Sequence, residues 1–314
     1  MSKLSWEDQF MESIPAIVAG GETEERARQL LNDYIRLART TAMPEALDFE
    51  HHPELAATAS PYLGRDEEIH DLMLAIVTPL LSRYKVHGLA NFEKVIPMLT
   101  TTGVTIVSNH LSLFDAAVVY GLLHREPHLT QYAEKIFFIA GRLVFTSDYS
   151  RVAGRMFHSM LVASPRDMAE NEPIKRELAR LNIRSFKEGK ERQRNGHILI
   201  LYPEGTRSRD GRMGKFHSAL YNYLEGTVVL PVAITGADKI LHSNSFTFDI
   251  TDGSMSIGDP IFVGPSVEAP QSIDHIDTAT LPKDTRKQDA MDAIALRLAA
   301  LLPPAMRGAY AGSE

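Results

Sequence analysis

The stretch "TIVSNHLSLFDAAVVYGLL", residues 105–123, holds two kinds of pattern side by side. With Val104 before it, "VTIVS" is short, β-branched and apolar without alternation, as in a strand covered on both faces. "DAAVVYGLL" has the length and make-up of a helix. A strand passing straight into a helix is the opening of an α/β layout. Asn109 and His110 fall at what should be the C-terminal end of that strand, where open α/β sheets bind their ligands. Asp115 falls in the first turn of the helix.

The same alternation extends downstream. "YKVHG", "GVTIVSN", "KIFFIAG", "HILILYPEG", "TVVLPVAIT", "FTFDI" and "MSIGDPIFV" read as strands. Residues 114–124, about 151–161 and 172–194 are long enough for helices between them, and 287–302 carries a helical stripe. Residues 264–286 read as a surface loop. The expected fold is α/β: a twisted, mostly parallel or mixed sheet flanked by helices. Upstream the period is helical. Ala27, Leu30, Leu31, Tyr34, Leu37 and Ala38 form one amphipathic stripe, with Glu22, Glu24 and Glu25 at its favourable N-terminal end. A second stripe runs from Ile69 to Leu81, where Pro79 is expected to kink it. The chain therefore divides into a small N-terminal helical bundle, residues 1–83, and an α/β domain, residues 84–314.

Composition narrows the function classes. A chain of 314 residues can bury a sizeable core. Its net charge of −7 argues against a nucleic-acid partner. With no cysteine, thiolate metal sites, disulfides and a cysteine nucleophile are excluded. "MSKLSWEDQF" is acidic early and leads into no long apolar run, so no signal peptide is expected. No stretch approaches the roughly 18 apolar residues of a membrane span. The expectation is a soluble protein, cytoplasmic, or from the plastid stroma if it is the mature form of an organellar protein, with peripheral membrane contact left open.

A single His-x4-Asp pair among 12 histidines is close to what chance supplies. What surrounds it gives it weight. Five residues along one helix turn through roughly 140°, so His110 and Asp115 would not meet there. A strand–turn–helix joint can bring them together. The carboxylate then holds one imidazole nitrogen and leaves the other as a base for a hydroxyl. The alternative is a polar helix cap beside a satisfied histidine. A second piece, "PEGTRSR" at 203–209, follows the strand "HILILY". Gly205 permits a tight turn, Thr206 and Ser208 offer hydroxyls, and Arg207 and Arg209 offer forks suited to phosphate oxygens. Glu204 is expected to orient an arginine or a substrate hydroxyl. Elsewhere, Glu67-x-x-His70 lacks the second copy a bundle di-iron site needs. The pairs His124/His128 and His51/His52 suit no ligand geometry, so neither a metal nor a cofactor is expected. No Gly-x-Ser-x-Gly elbow is present.

Four blocks in order resemble the glycerolipid acyltransferase superfamily: Asn109-His110-x4-Asp115, "FFIAGR" at 137–142, "PEGTRS" at 203–208 and "VVLPVAI" at 228–234. "YKVHGLANF" is similar to the family's opening strand, and the likeness covers roughly residues 84–265. It implies that residues 84–314 form an acyltransferase domain. The reaction implied is transfer of a fatty acyl group from acyl carrier protein or coenzyme A to a hydroxyl of glycerol 3-phosphate, in phospholipid biosynthesis. The helical N-terminal segment resembles the soluble, plastid-type glycerol-3-phosphate acyltransferases. On that resemblance His110 is the general base and Asp115 orients it. Arg207, Arg209, Arg166 in "SPRDM" and Arg142 bind the phosphate, and Glu204, Gly205, Thr206 and Ser208 shape its pocket. Oxyanion donors are sought among backbone amides at the helix start after His110. Asp167 stands where one basic residue of the plastid-type enzymes would be, which leaves lysophosphatidate open as acceptor. A non-catalytic lipid- or phosphate-binding protein on the same fold is the reading from another class. Residues 175–194 carry eight Lys/Arg against three Glu. That run reads either as a steering patch for an acidic carrier protein or coenzyme A phosphates, or as a solvated helix face.

Overall fold

The structure, a computed structural model, describes residues 5–242 and 245–312. The first four residues of the N-terminal stretch read above lie outside it. Helices α1 (Trp6–Met11), α2 (Ile14–Ala19), α3 (Glu24–Thr40), α4 (Leu55–Thr58) and α5 (Glu67–Leu80) come first. Then follow α6 (Leu89–Val95), α7 (Asp115–His124), α8 (Thr130–Ala133), α9 (Asp148–Arg155), α10 (Pro165–Glu170), α11 (Lys175–Arg194), α12 (Tyr221–Leu224), α13 (Ala237–Ile240) and α14 (Arg286–Leu301). The strands are β1 (Tyr62–Leu63), β2 (Tyr84–His87), β3 (Val104–Ser108), β4 (Ile136–Gly141), β5 (His158–Val162), β6 (Ile198–Leu201), β7 (Thr227–Thr235), β8 (Gly253–Ile257), β9 (Ile261–Gly264) and β10 (Asp274–Asp277).

All ten strands form one mixed sheet, ordered β1-β5-β4-β6-β3-β7-β8-β2, with β9 added on β7 and β10 on β9. Its centre, β5-β4-β6-β3-β7, is wholly parallel. The C-terminal ends of these strands therefore share one edge, and the loops that leave it can converge. Alternation sends neighbouring side chains to opposite faces. Ile136, Phe138, Ile198, Ile200, Val104, Ile106, Val228 and Leu230 join a core shared with α3, α5, α7 and α9. Val107, Leu201 and Val229 face α14 on the other side. On that second face α11 packs along β5, with Gly189 nearest to Met160 and Phe137.

The N-terminal helices join the first of these cores. Phe10 packs on Tyr34 with ring centroids 4.7 Å apart and meets Tyr149 and Phe248 edge-on, so α1, α3, α9 and the segment after α13 share one aromatic cluster. Burying each such ring stabilises by about 1.5–3 kcal/mol. Helix α2 crosses α5 so closely that a Cβ on Gly20 would lie 2.2 Å from the carbonyl oxygen of Pro79. Pro79 lies in the last turn of α5, which ends at Leu80.

Four local expectations are corrected. The segment 151–161 is not one helix: α9 stops at Arg155, and His158–Val162 forms β5. Met156, Phe157, Met160 and Leu161 fit a helical stripe as well as a strand, so periodicity could not separate them. "FTFDI" keeps only an isolated bridge, Leu241 with Phe248. It is held by α1 and the residue before α2 instead: Phe248 N–H donates to Ser13 Oγ at 2.7 Å, and the Thr247 side-chain hydroxyl donates to the Gln9 carbonyl at 2.9 Å. The presumed loop 264–286 contains β10, and Tyr62–Leu63 adds an edge strand within the helical segment. Pro231 sits in the central strand β7 because it falls where the antiparallel neighbour changes from β9 to β8, so its missing N–H leaves no gap in either ladder.

Beside β1, His158 Nδ1 accepts from the Arg65 N–H at 3.3 Å and pairs with the Tyr62 hydroxyl at 2.6 Å. Arg65 also reaches Tyr120, which pairs with His70 Nε2 at 2.7 Å, so His70 sits in a polar network of the helices. Burial, then the cations Arg65, His197 and Arg192, lower the His158 pKa to about 4. The unfolded chain takes up a proton near pH 6.5 while the native state resists until about pH 4, so native stability is lost as pH falls through that window. His158→Asn keeps an acceptor but cannot titrate. Its melting temperature should change less between pH 6.5 and 4 than that of the parent, and parallel profiles would refute this.

Candidate active site

The site is assembled from two adjacent strand ends, β3 and β6. Asn109 fixes the first. Its side chain is buried, donating to the Ile234 carbonyl at 3.0 Å and accepting the Ile234 N–H at 2.8 Å, which ties the end of β3 to β7. His110 follows in the turn. Its Nδ1 lies 2.8 Å from Asp115 Oδ2. The same oxygen accepts the N–H groups of Leu111, at 2.6 Å, and Ser112, at 3.0 Å. The joint of β3 and α7 thus folds the imidazole back onto the first turn of the helix, as the spacing required. Asp115 is fully buried, and burial pushes its carboxyl above the usual range, while His110 and the two N–H groups pull it back. His110 keeps a fifth of its side chain exposed, and among the described residues nothing hydrogen-bonds its Nε2. With Nδ1–H donating to Asp115, Nε2 presents a lone pair.

The second strand end holds the first by its backbone. Glu204 accepts the His110 N–H at 2.8 Å through Oε1 and the Gly214 N–H at 2.6 Å through Oε2. Ser208 N–H donates to the His110 carbonyl at 2.7 Å. Both main-chain polar groups of His110 are therefore held by "PEGTRS". Glu204 orients neither an arginine nor an exposed hydroxyl; burial raises its carboxyl, against the two N–H groups that it accepts. Gly205 turns the chain with φ +68°, a conformation that strains residues bearing a Cβ. Thr206 is exposed and Ser208 half-buried. Tyr202 was not foreseen as part of the site. Its ring stacks on His110 with centroids 4.4 Å apart and planes 21° from parallel, and among the described residues its buried hydroxyl has no hydrogen-bond partner. The only signal for it in the sequence was an aromatic residue ending the strand before Pro203.

The arginines divide into two sets. Arg207 and Arg209 are exposed beyond β6, next to β3, and among the described residues no carboxylate pairs with either. Arg142 leaves β4, two strands from β3, and is engaged by Glu50 at 2.6 Å and by the face of Phe49. Arg166 lies beyond β5, three strands away, exposed and paired with Glu170 at 2.8 Å. At the usual spacing these strands stand roughly 10 and 14 Å from β3. Three of the backbone amides between His110 and α7 are engaged within the joint. Those of Leu111 and Ser112 serve Asp115, and that of Phe114 serves Ser112 Oγ at 3.1 Å.

An apolar cavity of about 150 Å³ opens beside His110 and runs between the sheet and α3, α5, α7 and α9. Tyr202 and Leu113 line it near the imidazole, and Met73, Phe138, Met156 and Phe157 line it further in. It offers a base at one end and hydrocarbon surroundings along its length, which suits a substrate with a polar reacting group and an apolar tail.

A strand-end imidazole held by a carboxylate, with an arginine-bearing turn on the neighbouring strand, defines a class. The family model described as Acyltransferase matches residues 83–235, just under half of the chain, and this segment, which resembles the glycerolipid acyltransferase superfamily, holds every residue of the constellation. Two curated relatives are 33% identical over 75 residues. One is 1-acyl-sn-glycerol-3-phosphate acyltransferase LPAT1, chloroplastic, of Arabidopsis thaliana, where the match spans 23% of this chain and 21% of that one. The other is 1-acyl-sn-glycerol-3-phosphate acyltransferase BAT2, chloroplastic, of Brassica napus, at 23% and 22%. The chain thus matches about a fifth of the length of these relatives. A crystal structure of the 1-acyl-sn-glycerophosphate acyltransferase PlsC from Thermotoga maritima aligns over 88% of this chain and 95% of that one, with 19% identity and a TM-score of 0.47.

Proposed function

We propose that this protein transfers a fatty acyl group from a thioester, carried by acyl carrier protein or coenzyme A, to the free hydroxyl of a 1-acylglycerol 3-phosphate. The observation that carries the reading is His110, held by Asp115 on one nitrogen and opening with the other onto an apolar cavity. In this mechanism Nε2 takes the proton of the acceptor hydroxyl as its oxygen bonds to the thioester carbonyl carbon. The carbon–sulfur bond breaks, and the imidazolium returns the proton to the departing thiolate. Asp115 steadies the imidazolium in between. Holding both substrates in the cleft suffices, and no acyl-enzyme is needed. Arg207 and Arg209 take the acceptor phosphate, and the cavity takes the acyl chain.

Two points favour the acylated acceptor over glycerol 3-phosphate. The curated relatives are described as 1-acylglycerol-3-phosphate acyltransferases. Arg142 and Arg166 are engaged elsewhere, which leaves a clamp of two arginines instead of four. Such an acceptor resides in a membrane, so the enzyme would work at the membrane surface. Among the described residues no helix is long and apolar enough to cross a bilayer.

Thiol release should be measured with both donors while glycerol 3-phosphate competes against 1-acylglycerol 3-phosphate. The acylated acceptor should be preferred by at least about tenfold in kcat/KM, roughly 1.4 kcal/mol. Preference for glycerol 3-phosphate would return the acceptor to the one expected from the sequence. Stoichiometric lipid binding without thiol release would make the protein a non-catalytic binder.

A further inference from the structure

Helix α11 carries eight lysines and arginines, and four of them are used within the fold. Arg184 donates to the carbonyls of Ala59, at 2.8 Å, and Ala56, at 3.0 Å. Arg192 pairs with Glu188 and lies 3.2 Å from the Tyr62 ring centroid. Lys190 donates to the Glu225 carbonyl at 3.0 Å, and Lys175 pairs with Glu172. The other four, Arg176, Arg180, Lys187 and Arg194, are exposed, and among the described residues no carboxylate pairs with them.

These four are aligned. At 100° per residue they fall with Ile183 inside an arc of about 60°, along roughly 27 Å of helix. Ile183, at 55% exposed, is an apolar side chain left open in the middle of a cationic row. Glu191 borders the row and Glu177 stands about a quarter-turn away, so the row stays strongly positive on a chain of net charge −7. Near its C-terminal end the row runs into an open cleft against α12, lined by Phe186, Lys190 and Asn222. Phe186 and Tyr223 meet edge to face there, at 5.0 Å.

We propose that this face of α11 is a docking surface for an acidic protein that lays a negatively charged helix along it, and that this partner carries the acyl thioester. The second half rests on the transfer reaction proposed above. Charge complementarity selects the partner: four unpaired cations in one row match carboxylates repeating on a helix, and Ile183 supplies one apolar contact at the centre. As the crossover between the parallel strands β5 and β6, α11 begins at the edge of the sheet where His110 lies and runs away from it, on the face opposite the cavity. One exposed apolar residue is too few to anchor a bilayer contact.

The test is the double charge reversal Arg180→Glu with Lys187→Glu, at exposed positions outside the proposed catalytic and phosphate-binding residues. Fluorescence anisotropy of labelled acyl carrier protein should report binding to the unaltered protein that fades at about 0.5 M salt, where screening shortens charge attraction to a few Å. The variant should bind at least about tenfold more weakly. In turnover its KM for acyl carrier protein donors should rise by a similar factor, with kcat and the KM for acyl-CoA unchanged. No binding by the unaltered protein, equal binding by the variant, or equal KM changes for both donors would overturn the proposal. So would loss of binding to phosphatidylcholine–phosphatidylglycerol vesicles with carrier binding intact. If neither donor turns over, the transfer reaction fails, and the anisotropy still decides the docking.

Discussion

His110→Ala is expected to lower kcat/KM for acyl transfer by about 10⁴-fold, a barrier increase of about 5.5 kcal/mol, while leaving the fold and lipid binding in place. The size follows from what is removed. An alcohol is a weak nucleophile at neutral pH, and among the described residues no other imidazole or carboxylate lines the cavity: Asp115 is sealed behind His110 and Glu204 is taken up by backbone N–H groups. The fold should survive because the backbone of His110 makes the site's main-chain bonds, and these remain in alanine. The side chain contributes the stack on Tyr202 and the bond to Asp115. Thiol release, melting temperature and binding of a non-transferable acyl thioester together check the prediction. Turnover within about tenfold of the parent would remove His110 from the reaction.

Asp115→Asn should cost about 10³- to 10⁴-fold in kcat with little loss of stability. Oδ2 receives His110 Nδ1 and two backbone N–H groups. An amide oxygen in its place can accept the same three bonds, but it lacks the charge that steadies an imidazolium. An amide turned the other way would donate to Nδ1 and force the proton onto Nε2, where it blocks the base. Stability should hold because burial raises the Asp115 carboxyl, and a neutral side chain of the same shape escapes that desolvation cost. Expected, then, are a collapsed kcat and an unfolding free energy within about 1 kcal/mol of the parent. An enzyme that keeps its rate, or loses rate and fold together, would contradict the assigned role.

What the sequence disclosed followed from local pattern. The unbroken apolar run of β3 and the change of period into α7 were readable, and they placed His110 and Asp115 at a strand end. Segment β5 was hidden because its apolar residues suit two periods at once. The strand β10, "DHID", was hidden because half-exposed polar residues on an edge carry no apolar signal. At the site, the chemistry of each residue type was legible and its partners were not. Glu204 holds the backbone of a residue 94 positions away, and a main-chain donor leaves no mark in a side-chain pattern. Arg142 has the right type for phosphate, yet its partner Glu50 comes from the helical segment, so only the packing of that segment could reveal the pairing.

Because Glu204 and Ser208 hold the main chain of His110, the imidazole is hung from a part of the polypeptide made much later. A nascent chain that has emerged only as far as α11 contains both members of the dyad but neither of the later strands that hold the end of β3. On the proposed reaction, competence arrives only once β6 and β7 lie beside β3, so a shorter growing chain cannot squander thioesters.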